Sequence, residues 1–147
     1  MTANVTFDFT PQDVMHAYRG LPYRHMGRDP ETGLDCWGLP KDIYKRFLGV
    51  DLIDEANYEK RWFKKGFDFF LQRLSEQFSA VNRPGFLDMV LLKDRLGFAN
   101  HVGVMLDRNR FIHANKAGVT ISRISDGWRD RVVQFYRLSV LTKEASA

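Results

Sequence analysis

One cysteine in 147 residues leaves no partner for a disulfide within the chain. That excludes the small stapled scaffolds of many secreted proteins. No apolar run approaches the length of a membrane helix, so no spanning segment is expected. Met1 to Thr10 lacks a basic start followed by an apolar stretch, so no secretory signal is read there. An excess of one charge sign is also missing: 22 Lys and Arg stand against 18 Asp and Glu, a net +4. The densest basic cluster, Lys60, Arg61, Lys64 and Lys65, is broken by Trp62 and Phe63. It reads as a solvated helix face with at most a mild attraction for an anionic polymer. A nucleic-acid surface needs a more concentrated patch, so no nucleic-acid partner is expected.

Against these absences stand 44% hydrophobic and 27% charged residues, the balance of a soluble globular chain. The length suits one domain over 1–147, with no linker and no internal repeat. Thr10-Pro11 is a helix start, Thr as N-cap and Pro in the first turn, and Gly20 ends that helix. Residues 20–34 carry Gly20, Pro22, Gly27, Pro30 and Gly33, a long loop that delivers the chain to the cysteine. Trp37, Leu39, Ile43, Tyr44, Phe47 and Leu48 recur at threes and fours, which predicts a helix ended by Gly49. Further helices are predicted over 54–64 and 67–78. After Pro84-Gly85 the pattern turns to strands, at 86–92, 101–106, 111–114, 119–124 and 132–138. Helices first and an antiparallel sheet second make an α+β fold.

Asp35 is placed to cap the second helix, with Cys36 in its first turn. A thiol attacks acyl groups as thiolate, and unpaired amides at a helix N-terminus favour that form. The Cys36 amide is a candidate oxyanion donor, and Gly38 allows another chain to approach closely. On local context alone, an inert core cysteine explains the segment equally well.

His101 opens one predicted strand and His113 lies on the next. In 101–106, Val102, Val104 and Leu106 share one face, and His101, Gly103 and Met105 the other. The two histidines meet only if residue 113 lies across from 103, which needs a three-residue connection or a bulge. That register is predicted, with Gly103 between the rings. Cys36 would then be nucleophile, His101 the base that later protonates the leaving amine, and His113 the group that orients His101. Asn115 shares the parity of His113 and is a weaker orienter. A Cys-His-His zinc site is disfavoured, since no short metal-type spacing is present. No cofactor is expected. His16 reads as an ordinary helical residue, and His25, in the long loop, as a candidate substrate contact.

The segments Tyr18 to His25, Gly33-Leu34-Asp35-Cys36-Trp37-Gly38-Leu39, Pro84 to Val90, His101 to Leu106 and Arg110 to Ala114 together resemble the NlpC/P60 peptidases, especially their phage-tail branch. Gly118-Val119-Thr120 and Trp128 to Arg137 extend the likeness, and only 50–80 matches poorly. The resemblance implies a papain-like core with Cys36, His101 and His113 as the catalytic trio. It also implies hydrolysis of a peptidoglycan stem-peptide bond, often after D-glutamate and before diaminopimelate. Tyr23 and Asp35 are implied to line the substrate site, with Asp35 also able to meet a substrate amine. Trp37, where many members have Ser, joins them as a substrate-side candidate. Phe86-Leu87-Asp88 replaces a frequent Gly-Asp-hydrophobic pattern. A phage-tail relative would reach the wall on the virion, after a stay in the bacterial cytoplasm before assembly, with other tail proteins as partners. Two alternatives stay open: a tail-tip or wall-binding module that no longer turns over, and an acyltransferase or amidase using the same nucleophile.

Overall fold

The computed structural model describes residues 6–54, 74 and 76–141. Helix α1 spans Pro11–Tyr18 and starts in a capping box: Thr10 accepts from the Asp13 amide while Asp13 accepts from the Thr10 amide. Helix α2 spans Gly38–Leu48 and ends at Gly49, whose φ of 68° closes it in the left-handed region. The intervening loop contains a short hairpin, β1 (Arg28–Asp29) with β2 (Gly33–Leu34). Sequence patterning missed it because two-residue strands carry no readable alternation.

Six strands follow: β3 (Phe78–Val81), β4 (Met89–Lys93), β5 (Ala99–Met105), β6 (Arg110–Asn115), β7 (Gly118–Arg123) and β8 (Val132–Leu138). They form one antiparallel sheet in the order β3-β8-β4-β5-β6-β7. The fold is α+β, as expected, and the last strand is inserted between β3 and β4. The predicted helix 54–64 and most of 67–78 lie outside the described residues. The end of the second needs correcting: Leu74, Glu76 and Gln77 are helical, and Phe78 already belongs to β3. The strand predicted from 86 starts at Met89. Before it the chain turns: Leu87 takes a φ of 72°, and Asp88 accepts from the Gly85 amide at 2.7 Å. Asp88 is buried and also receives Arg137 through two nitrogens, at 2.9 and 2.8 Å, which ties this turn to β8.

Both sheet faces are covered. Val102, Val104, Leu106, Ile112 and Ala114 form one core with Val14, Tyr18, Leu39 and Ile43 of the helices, the face predicted to be apolar. On the opposite face Val90, Leu92, Met105, Phe111 and Ile124 bury a second core under Trp128, Val132 and Phe135. Burial at about 25 cal/mol per Å² makes these two layers the main source of stability.

Candidate active site

Strands β5 and β6 pair Val104 with Ile112 and Met105 with Phe111. The Leu106 amide then donates to the Arg110 carbonyl at 2.8 Å, which leaves Asp107, Arg108 and Asn109 as a three-residue connection. Asp107 organises it by accepting from the Asn109 and Arg110 amides at 2.9 and 2.7 Å. This is the predicted register, with residue 113 across from 103. A Cβ added to Gly103 would lie 2.8 Å from the Phe111 ring, 3.2 Å from the Ile112 carbonyl oxygen and 3.4 Å from the His113 Cβ, so glycine keeps the two strands close at this point.

The consequence is a direct bond between the histidines: His101 Nε2 lies 2.7 Å from His113 Nδ1. The other nitrogen of His113, Nε2, lies 2.9 Å from Ser122 Oγ on β7. Phe111 and Trp128 wrap His113, with ring centroids 4.6 and 5.3 Å away, and Arg131 stacks on Trp128 with its guanidinium carbon 4.3 Å from the ring centroid. Arg131 is anchored by its Nε on the Lys93 carbonyl at 2.9 Å.

Cys36 reaches this pair from the helix side. Its thiol donates a long bond, 4.0 Å, to the Asn100 carbonyl, and the Val102 backbone also hydrogen-bonds it. The sulfur therefore meets β5 on the backbone flanking His101. Burial pushes the Cys36 thiol up from its ordinary value, and the charge of Asp35 adds to that. This corrects the expectation of a thiol lowered by helix amides. Those amides are already taken: Trp37 N and Gly38 N donate to Asp35 Oδ1 at 3.1 and 2.7 Å. The resting site thus holds a protonated thiol. Burial also pushes His101 down to about 3, with His113 and Arg131 contributing, and burial with Arg131 pushes His113 down to about 4. Both rings are neutral near pH 7.

A histidine lowered by folding binds fewer protons folded than unfolded at any pH between its two values. Acid therefore favours the unfolded chain, and the stability contribution, complete above about pH 6.5, is lost as pH falls towards 4 and then 3. Urea unfolding is expected to show stability falling between pH 6.5 and 4.5, by at most about 1.4 kcal/mol per pH unit for each histidine. His101→Gln is expected to shallow that slope. An unchanged slope would contradict the origin given for it.

The remaining sequence candidates separate clearly. Tyr23 is half-buried, and its hydroxyl is raised first by burial and then by the charges of Cys36 and Asp35. Asp35 is 3% exposed and accepts four bonds, the fourth and third from the Met26 amide at 3.0 Å and Arg28 Nη1 at 2.8 Å. Arg28 in turn grips Asp54 through two nitrogens at 2.7 and 3.0 Å. The structure starts α2 at Gly38 with Trp37 as N-cap, so Cys36 precedes the first turn instead of lying in it as expected, while Asp35 still accepts the amides at the helix start. Trp37 is 1% exposed, with its indole N–H on the Ile53 carbonyl at 3.2 Å. Its assignment as a substrate contact is corrected: the indole is large and apolar, and it fills the core under α2. His25 lies half-buried in the loop after Tyr23. Asn115 accepts from the Ala117 amide at 2.9 Å in the β6–β7 turn, and the bond to His101 is made by His113. Ser122, Trp128, Arg131 and the Arg28–Asp54 clamp were missed. Ser122 had a signal, since the two-residue turn between Asn115 and Gly118 sets Thr120 opposite His113 and Ser122 on its diagonal.

The NlpC/P60 family model matches residues 20–137, and so spans the loop, the cysteine helix, both histidines and the closing strand. The chain belongs to the NlpC/P60 family. Among curated relatives, this NlpC/P60 domain is 31% identical over 130 residues to the gamma-DL-glutamyl hydrolase of Bacillus subtilis (strain 168), covering 85% of this chain and 28% of that protein. It is 29% identical over 122 residues to the bifunctional muramidase/DL-endopeptidase CwlT of the same strain, covering 82% and 33%. A more distant relative is tail tip assembly protein K of Escherichia phage N15, 24% identical over 118 residues, covering 70% and 44%. The chain thus spans a third or less of the two Bacillus proteins. The crystal structure of the NlpC/p60 domain of peptidoglycan hydrolase SagA superposes with a TM-score of 0.58 at 19% identity, covering 88% of this chain and 97% of that domain, a likeness of fold.

Proposed function

We propose that this domain is a cysteine endopeptidase that hydrolyses stem-peptide amide bonds of peptidoglycan. The observation that carries the reading is the bond from His101 Nε2 to His113 Nδ1, with the Cys36 thiol on the backbone flanking His101. With its Nε2–H donated to His113, His101 keeps a bare Nδ1 as base. Cys36 sulfur attacks the scissile carbonyl carbon as its proton passes to that nitrogen. The His101 proton then goes to the leaving amine, the C–N bond breaks, and a thioester remains on Cys36. Water attacks the thioester, gives a proton to His101, and releases the carboxylic acid and the thiol. No metal or organic cofactor enters this scheme. Since the resting thiol is protonated, proton transfer accompanies attack, and no ion pair is stored beforehand.

Tyr23, whose hydroxyl feels the charge of Cys36, is assigned to the substrate wall, and His25 to the rim of the same loop. Asp35 is assigned to positioning, because its carboxylate holds the loop, the helix start and Arg28 together. The bond proposed is γ-D-glutamyl–diaminopimelate, supported by the gamma-DL-glutamyl hydrolase and DL-endopeptidase names of the two Bacillus relatives. The likeness to a tail-tip assembly protein supports a place on a phage virion tail, among other tail proteins, with cytoplasmic synthesis before assembly. Among the described residues no helix is long and apolar enough to cross a membrane. A second reading, a catalytically silent tail-tip or wall-binding module, is favoured by the burial of Cys36, which is 7% exposed and whose thiol is pushed up by it.

Digestion of purified peptidoglycan with the wild type and Cys36→Ala, followed by mass spectrometry of released fragments, separates the two. Fragments ending at D-glutamate with the wild type alone are expected. A folded wild type that releases nothing from several wall chemotypes would favour the silent module, and restored turnover with an added amine acceptor would favour a transferase.

A further inference from the structure

We propose that Ser122 is a positioning residue: its hydroxyl is the acceptor that lets His113 carry its proton on Nε2, the tautomer that leaves His101 its basic nitrogen, and without it that N–H would be left unpaired. This rests on the peptidase reading above. A neutral imidazole carries one N–H, and its second nitrogen accepts. In the relay Ser122–His113–His101, both ring–ring and ring–hydroxyl contacts are short, 2.7 and 2.9 Å. Only one direction of the relay leaves His101 able to take a proton. His113 must carry its proton on Nε2 and donate it to Ser122 Oγ. Its bare Nδ1 then accepts from His101 Nε2–H, and His101 Nδ1 is left free. In the reverse direction His113 donates from Nδ1 to His101 Nε2, and the remaining His101 nitrogen holds the proton that blocks it from serving as base.

Ser122 is held for this task. It sits on β7 opposite Phe111, on the diagonal from His113. Trp128 stands edge-on to His113 at 83°, and Phe111 closes a further side at 42°. These rings fix the imidazole plane so that Nε2 meets Ser122 Oγ. Arg131 lies close enough to disfavour a proton on either histidine, which keeps the chain of three in neutral forms and makes the direction of the relay matter.

Long-range 1H–15N correlation spectra of histidine side chains read the tautomer directly and do not depend on turnover. At pH 7 the wild type is expected to show His113 protonated on Nε2 with Nδ1 bare. Ser122→Ala is expected to add a second His113 tautomer, to lower kcat at least tenfold with KM within twofold, and Ser122→Thr to restore both. A wild-type proton on His113 Nδ1, an unchanged tautomer in Ser122→Ala, or a shifted tautomer with unchanged kcat would each overturn the proposal. If the wild type cleaves no wall peptide, the peptidase reading fails, while the spectra still decide whether Ser122 sets the tautomer.

Discussion

His101→Ala is expected to lower kcat for stem-peptide hydrolysis by about 10³-fold, the scale of a positioned general acid–base. The loss should be that large because the resting thiol is protonated, held up by burial and by Asp35. A thiol stored as thiolate attacks without help, whereas this one needs a base at the moment of attack. The same ring must then protonate the leaving amine, so one substitution removes two proton transfers. KM is expected to change less than threefold, since His101 contributes to the transition state and little to ground-state binding. His113→Ala should be milder, because it removes the orienting bond at 2.7 Å and leaves the base. Stopped assays on a defined stem peptide measure both. A His101→Ala enzyme within tenfold of wild type would remove this ring from the chemistry.

Asp35→Ala is expected to give the largest loss of stability, about 3–5 kcal/mol, the range for removing one member of a buried ion pair. Four donors converge on its carboxylate: the Met26, Trp37 and Gly38 amides and Arg28 Nη1, at 2.7 to 3.1 Å. The side chain of Asp35 is 4% exposed and that of Arg28 25%, so neither regains full hydration when the partner goes. Deleting the carboxylate strands two buried amides at the start of α2, frees the loop at Met26 and removes one of the two carboxylates that hold Arg28. Asp35→Asn should cost less, because one oxygen still caps Trp37 and Gly38. Its amide nitrogen then faces the Met26 N–H, donor against donor. Urea midpoints for the two variants measure the order. If Asp35→Ala lay within about 1 kcal/mol of wild type, the carboxylate would not hold the loop to the helix.

Much of this site is legible in the sequence. The His101–His113 contact followed from strand parity once the connection was three residues long, and Asp107 supplies the turn that makes it so. The Thr10 cap followed from residue type, because a short acceptor directly before a helix meets its first amides. What failed depended on groups distant in sequence. Trp37 looks like a site residue beside Cys36, yet its indole finds the Ile53 carbonyl and leaves the site. The thiol's direction of shift is set first by its burial among residues brought in from distant strands, with the charge of Asp35 adding to it. The insertion of β8 between β3 and β4 has no local signature, since it is set by which strands share the two cores. Ser122 went unnoticed because a serine in a strand carries no chemical flag without its neighbour.

The central claim is that Cys36 forms a covalent thioester with the carbonyl side of the cleaved bond. Acid-quenched turnover of a γ-D-glutamyl–diaminopimelate peptide, read by intact-protein mass spectrometry with peptide mapping, tests it most directly. The account predicts an adduct on Cys36 equal to the fragment that ends at D-glutamate less one water, absent from Cys36→Ala and enriched when the water step is slowed at low temperature. Cleavage of the peptide at an undiminished rate by Cys36→Ala, with no adduct on the wild type, would contradict it.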